Sequence, residues 1–264
     1  MCRHLAYLGP SVPLSTHLFD APHGLVAQAQ TPRSVPLCSG DGFGVGWFED
    51  AARRRYRTTT PIWQDSAFRA RAATVESGAV LASARLATRG MPIDETSTAP
   101  LSSDGKLFAL NGFVDGFGDG ARTVLEGMLT RQRRASIEGG ADTGVLFALT
   151  LDSLDLDASL REALAMTHAI VRRMSAAPLN LLITDGSRIA ATASGHSLAV
   201  RASEDRVVVS SEPLDDDPAW QIVPDDSLVD AAPGAVRIVP LDSVFVEPES
   251  LCGRPVTPLI ASER

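Results

Sequence analysis

The sequence predicts an α+β protein in which helices are layered on antiparallel sheets, and three observations carry that expectation. Short apolar runs bounded by glycine, proline or Asn-Gly occupy the chain up to Val114. A helical period fills the middle, and short runs at hairpin intervals return from Asn180 onward. Strands, then helices, then strands do not alternate as a doubly wound parallel sheet requires. The 264 residues include 21 Gly and 17 Pro scattered without an obvious linker, so one domain spanning 1–264 is expected.

Taken in order, Leu5-Ala6-Tyr7-Leu8-Gly9 reads as a buried strand that stops at Gly9-Pro10. Residues 10–40 hold Pro10, Pro13, Pro22, Pro32 and Pro36 without a strong period and read as an extended, loop-like binding segment. Its His17 and His23 read as surface or hydrogen-bonded structural residues. Gly40-Asp41-Gly42-Phe43-Gly44-Val45-Gly46-Trp47-Phe48 then enters a strand through closely approached backbone. The spacing is wrong for G-x-G-x-x-G and no βαβ unit encloses it. Either a turn carrying Asp41 lets backbone amides face a small substrate, or this is a hairpin bend with no ligand.

Val80 to Thr88 reads as a strand ending at Arg89-Gly90-Met91-Pro92. Its one charge, Arg85, needs an internal carboxylate or a carboxylate-bearing ligand to offset desolvation. Leu107 to Leu110 forms another strand, closed by Asn111-Gly112 and resumed at Phe113-Val114. Asn-Gly between apolar runs is a hairpin signal, but the same pair can aim a side-chain amide and a backbone N–H at one developing negative charge. Arg122 to Arg134 carries Val124, Leu125, Met128 and Leu129 at helical spacing, Asp142 caps a helix through Leu151, and a third helix spans Ala158 to Met174. Asp142 reads as an N-cap or as a carboxylate for an ammonium group. His168 reads as a packing or surface residue. The last third places strands at Leu179–Thr184, Arg188–Ala193, Ser197–Arg201, Arg206–Ser211, Val236–Val239 and Ser243–Val246, with Leu214-Asp215-Asp216-Asp217 as a solvated loop.

The charge balance, 24 basic against 32 acidic residues for a net −8 with no basic run, excludes nucleic acid as an expected partner. Cysteines at 2, 38 and 252 are odd in number and widely spaced, which argues for a reducing compartment rather than a disulfide framework. With no basic-then-apolar leader and no apolar run of membrane length, a cytoplasmic location is expected. Cys2-Arg3-His4 supplies no metal site, because no second ligand pair follows at suitable spacing, and no cofactor is implied.

The remaining signal is Met1-Cys2-Arg3-His4. Initiator methionine is readily removed before a residue as small as cysteine, which would leave a mature chain 2–264. A thiol has a reference pKa of about 8.5 and an α-amino group one of about 7.7–8.0, so near neutral pH the amine of Cys2 can accept its own thiol's proton. One residue then holds both nucleophile and base. The alternative is that Cys2 is an accident of where the chain starts.

Together, Met-Cys-Arg-His, Asp41 to Trp47, Arg85-Leu86-Ala87-Thr88-Arg89-Gly90, Asn111-Gly112, Asp142, Asn180 to Gly186 and Ser210-Ser211-Glu212-Pro213-Leu214 resemble class II glutamine amidotransferase domains, in order and spacing across nearly the whole chain. Within that superfamily the Cys-Arg-His start and the lack of an attached synthase look most like the stand-alone γ-glutamyl hydrolases of ergothioneine biosynthesis. Those enzymes release glutamate from γ-glutamyl-hercynylcysteine sulfoxide. The resemblance implies a four-layer αββα N-terminal-nucleophile fold with two stacked antiparallel sheets. It implies Cys2 as nucleophile through a thioester, Asn111 and the Gly112 amide as oxyanion hole, Arg85 with Thr88 and Arg89 at the substrate's α-carboxylate, Asp142 at its α-ammonium, and Asp41 beside them. Leu110 stands where many relatives have His. For a trimethylammonium-bearing leaving group, Tyr7, Trp47, Trp63 and Trp220 are the aromatic candidates. Two other readings stay open: a glutaminase or amidotransferase subunit passing ammonia to a separate synthase, and a binding module that kept the fold without the chemistry.

Overall fold

The computed structural model describes residues 2–34, 36–49 and 52–244, so Cys252 and the end of the expected strand Ser243–Val246 lie outside the described residues. Thirteen described strands run in chain order: β1 (Arg3–Pro13), β2 (Phe43–Glu49), β3 (Ala52–Thr58), β4 (Glu76–Ala84), β5 (Leu101–Ser103), β6 (Lys106–Gly112), β7 (Leu179–Thr184), β8 (Ile189–Ala193), β9 (Ala199–Ala202), β10 (Val207–Ser210), β11 (Gln221–Ile222), β12 (Ser227–Ala232) and β13 (Ala235–Pro240). The described α-helices are α1 (Leu25–Gln30), α2 (Ser66–Ala72), α3 (Ala121–Met128), α4 (Arg131–Ala135), α5 (Asp142–Leu154) and α6 (Leu160–Arg172). One sheet has the order β11-β9-β10-β1-β4-β2-β3 and the other β13-β12-β8-β7-β6-β5. Every pairing is antiparallel.

Strand alternation sorts the side chains into three apolar layers. Ala6 and Leu8 of β1, Ala79 and Leu81 of β4, Leu107 and Ala109 of β6 and Leu182 of β7 fill the space between the sheets. The opposite faces of β1, β2 and β4, with Leu5, Tyr7, Val45 and Trp47, pack on Leu25 and Ala29 of α1 and Phe68 of α2. On the far side, Phe108, Leu181 and Ile183 pack on Leu146 and Leu149 of α5 and Leu164 of α6. This is the expected αββα arrangement, with two antiparallel sheets stacked between helical layers.

The glycine-rich β2 explains how the sheets approach each other. A Cβ on Gly44 would lie 2.4 Å from the Ala99 carbonyl oxygen, and one on Gly46 would lie 2.7 Å from Leu107 Cδ1. These glycines admit the facing sheet rather than a ligand.

Several local expectations are corrected. Residues 10–40 are not uniformly extended. β1 continues to Pro13 past an irregularity between Leu8 and Val12, and α1 buries Leu25 and Ala29 where prolines obscured a helical period. Asn111-Gly112 is not a hairpin turn, because both residues lie inside β6 and pair with Asn180 and Leu179. The turn belongs to Asp104-Gly105, both at positive φ, between β5 and β6. The helix expected over 122–134 is broken after Met128; Leu129 is extended and Thr130 caps α4 by accepting the Arg133 N–H. Ser243 ends a short 3₁₀ turn rather than opening a strand. A capping box of Ser159 and Glu162 starts α6.

Candidate active site

Cys2 immediately precedes β1, an inner strand of the larger sheet, and its thiol donates to the Leu86 carbonyl at 3.6 Å. Antiparallel pairing of β1 with β4 puts Arg3 opposite Ala84, so the chain leaving β4 delivers Arg85 and Leu86 beside Cys2. Burial raises the thiol's pKa, and Asp142 adds to the rise while the Arg85 guanidinium opposes it. The thiolate therefore needs help to form, which is the task of a base close at hand.

Arg85 is 7% exposed. One terminal nitrogen, Nη2, donates to the Pro92 carbonyl at 2.7 Å, and the other, Nη1, is buried without a partner. Structural pairing with an internal acid, one reading of this arginine from sequence, is not what the geometry shows. Its backbone is clamped from both directions: the Arg85 N–H donates to Gly42 O at 2.8 Å, and the Asp41 N–H donates to Arg85 O at 2.9 Å. The Asp41 carboxylate accepts the Ala87 N–H at 2.8 Å, so Asp41 shapes the segment that carries Arg85.

Asn111 faces the inter-sheet layer in line with Leu107 and Ala109, and neither its Nδ2 nor its Oδ1 has a partner although the residue is fully buried. Gly112 follows with φ +151°, and a Cβ there would sit 2.0 Å from the Pro178 carbonyl oxygen. Only glycine fits, and its presence lets the chain turn out of β6 with the Asn side chain held at the end of the layer.

Asp142 is the first residue of α5, not its cap; Ala141 holds the N-cap position. The carboxylate accepts the Thr143 N–H at 2.8 Å and the Val114 N–H at 3.0 Å, two residues beyond Gly112. Burial raises its pKa; these hydrogen bonds and Arg85 act in the opposite direction. Thr88 and Arg89 lie just beyond, in a turn closed by the Met91 N–H to Thr88 O at 2.9 Å. They line a cavity of about 600 Å³ together with Phe113, Val114 and Asp115.

The fold thus brings Cys2, Arg85, Asn111, Gly112 and Asp142 to one end of the sheet pair, with Thr88 and Arg89 on the adjoining cavity and Asp41 behind. Two buried supports lie within motifs that the sequence shows but to which it assigns no role. Arg3 is fully buried and lies 3.4 Å from Glu212, whose carboxylate also accepts the backbone N–H groups of Arg33 and Ser34. Asn180 donates to His196 O at 3.0 Å and accepts the Ser194 N–H at 2.7 Å, pinning the β8–β9 loop. Of the aromatic candidates, Tyr7 and Trp47 are buried in the layer under α1 and α2, and Trp220 is covered by Arg201 and donates to Asp215. Among the described residues no group of three or more His, Cys, Asp or Glu is placed to hold a metal ion, and no helix is long and apolar enough to cross a membrane.

No protein-family model matches the chain. It is 38% identical over 245 residues to the γ-glutamyl-hercynylcysteine sulfoxide hydrolase of Mycolicibacterium smegmatis, covering 91% of this chain and all of that protein. The like-named enzyme of Mycobacterium tuberculosis is also 38% identical, over 92% of this chain and 97% of its own. Among solved structures, a class II glutamine amidotransferase-domain protein from Silicibacter pomeroyi superposes with a TM-score of 0.66 at 24% identity, over 91% of this chain and 99% of that one. The phosphoribosylpyrophosphate amidotransferase of Bacillus subtilis gives 0.66 at 15% identity, over 91% of this chain and 49% of that one, which shows the shared N-terminal-nucleophile fold. By the extent and level of identity, the chain belongs to the family of the γ-glutamyl-hercynylcysteine sulfoxide hydrolases.

Proposed function

We propose that this chain is an N-terminal-cysteine amidohydrolase that cleaves the γ-glutamyl amide of γ-glutamyl-hercynylcysteine sulfoxide to hercynylcysteine sulfoxide and glutamate. The observation that carries the reading is the pair of unsatisfied, buried polar groups around Cys2: Arg85 Nη1 and the Asn111 amide. Buried polar atoms are ordinarily hydrogen-bonded, and these two await a carboxylate and a carbonyl oxygen.

The mechanism follows from those groups. Removal of Met1 frees the Cys2 amine, which accepts the thiol proton as sulfur attacks the γ-carbonyl carbon. Asn111 Nδ2 and the Gly112 N–H stabilise the oxyanion, a contribution of about 10²–10³ in rate per donor. Collapse breaks the C–N bond, and the Cys2 ammonium returns its proton to the departing amine. Water then adds to the thioester, the amine again taking the proton, and glutamate leaves with the thiol restored. Arg85 pairs with the glutamyl α-carboxylate, with Thr88 and Arg89 beside it, and Asp142 pairs with the α-ammonium. Ion pairing inside this buried pocket offsets the burial cost of both protein charges. The chain acts as one domain in the cytoplasm.

The deciding assay is glutamate release by the purified chain from γ-glutamyl-hercynylcysteine sulfoxide and, in parallel, from glutamine. A higher kcat/KM for the conjugate is expected. Preference for glutamine with release of ammonia would replace this reading by the amidotransferase one.

A further inference from the structure

The layer between the sheets is apolar along most of its length and becomes polar at its catalytic end. Alternation places His4 in line with Ala6 and Leu8, Ser83 with Ala79 and Leu81, Asn111 with Leu107 and Ala109, and Asn180 with Leu182. All four polar residues are buried. Asn180 is committed through both ends of its amide to the β8–β9 loop. His4 and Asn111 are not: both ring nitrogens of His4 and both polar atoms of Asn111 are buried without a partner. β1 packs over β6 and β7, so the strands that carry the ring and the amide face each other across this polar end of the layer. Burial, with His196 and Arg3 nearby, pushes the His4 imidazole down to about 3. The ring therefore stays neutral at working pH and offers one N–H donor and one acceptor.

An Asn amide serves an oxyanion only when Nδ2, and not Oδ1, points at it, and a half-turn about its terminal bond exchanges the two. A donor held against Oδ1 removes that ambiguity. We propose that His4 is a positioning residue for the oxyanion hole: on substrate binding its ring N–H, otherwise unpartnered, engages Asn111 Oδ1 and so turns Nδ2 toward the substrate's carbonyl oxygen. A neutral donor suits the task, since a cation at this place would compete with Arg85 for the substrate's carboxylate. Ser83 is the cross-strand neighbour of His4 on the same face. The inference rests on Asn111 acting as the oxyanion donor.

A double-mutant cycle tests it, with His4→Leu and Asn111→Ala made singly and together and glutamate release measured on the γ-glutamyl conjugate. His4→Leu is expected to lower kcat by about 10- to 100-fold, below the 10²–10³ typical of losing a donor outright, with KM within about twofold. In the Asn111→Ala background the same change is expected to cost less than about twofold, because nothing remains to be positioned. His4→Gln, which keeps a side-chain donor, is expected to restore most of the rate. An equal loss in both backgrounds, or a loss confined to KM, would overturn the inference while leaving the proposed reaction standing. A near-normal rate for Asn111→Ala alone would instead remove the oxyanion assignment, and His4 with it.

If His4→Leu does not fold, the imidazole ¹⁵N spectrum of the otherwise unaltered chain decides. A diazoketone analogue of glutamine alkylates the thiol with loss of N₂ and leaves a ketone oxygen at the oxyanion position. A protected, shifted His4 N–H is expected on alkylation. An unchanged His4 resonance would overturn the proposal.

Discussion

Arg3 and Glu212 form a buried ion pair, 3.4 Å apart and 0% and 4% exposed, that ties the residue next to Cys2 to the segment following β10. Glu212 is further held by the N–H groups of Arg33 and Ser34 and by the Ser34 hydroxyl at 2.6 Å. One carboxylate thereby joins the N-terminus, the segment after α1 and the strand beside β1.

Glu212→Ala should cost about 3–5 kcal/mol of stability, because it breaks a buried ion pair and removes an acceptor from two backbone N–H groups; denaturant unfolding measures this. The Glu212 carboxyl is costly to bury but is brought below its ordinary value by Ser34, by the backbone donors of Arg33 and Ser34 and by Arg3. A depressed folded pKa means its stabilisation is present above the ordinary carboxylate range and is lost as pH falls through the folded value. The stability difference between the unaltered chain and Glu212→Ala should therefore be full near neutral pH and shrink as pH falls through that lowered value.

Cys2→Ala should abolish glutamate release while leaving the unfolding transition in place, since the thiol holds no structural bond beyond the 3.6 Å contact to Leu86. Intact mass of the active protein should show Met1 removed. Active protein that keeps Met1 would exclude the α-amine as base.

Arg85→Ala should raise KM by about 10–100-fold, the usual range for one charge-assisted hydrogen bond. Because Nη2 is anchored to Pro92 while Nη1 is buried without a partner, Arg85→Lys should not restore binding. Steady-state kinetics on the γ-glutamyl conjugate would show both.

Asp142 is raised by burial above the ordinary aspartate range, so the protein without substrate gains its carboxylate only as pH rises through that higher value. Glutamine binding to Cys2→Ala protein, followed by calorimetry, should weaken as pH falls toward it. Asp142→Asn should bind weakly at every pH and lose that dependence.

Gly112→Ala should reduce stability by more than the roughly 1–3 kcal/mol of backbone strain. The new Cβ at 2.0 Å from Pro178 O forces β6 away from β7 and moves the Asn111 side chain. Thermal unfolding and kcat should fall together.

Much of the candidate site was legible because each part is local. Cys2 next to the start, a lone arginine closing an apolar strand, and an Asn-Gly pair each suggest chemistry from a few adjacent residues. What those residues do structurally was less legible. Asn-Gly read as a turn because composition alone does not separate a glycine that bends a hairpin from one that admits a carbonyl at 2.0 Å. α1 went unread because five prolines across residues 10–40 masked its short apolar period.

By itself, the sequence determined the α+β class and the broad succession of strands, then helices, then strands, through short-range patterns, and it singled out Cys2, Arg85, Asn111-Gly112 and Asp142 as candidates for chemistry. Tertiary structure decided which face of each strand looks inward. In a four-layer fold both faces of the central strands are buried, so the polar–apolar alternation that would mark the inner face is missing. It also paired Arg3 with Glu212 and brought His4 and Asn111 to the same end of the layer, because such contacts depend on how two sheets stack and leave no mark in the residues next to them in the chain.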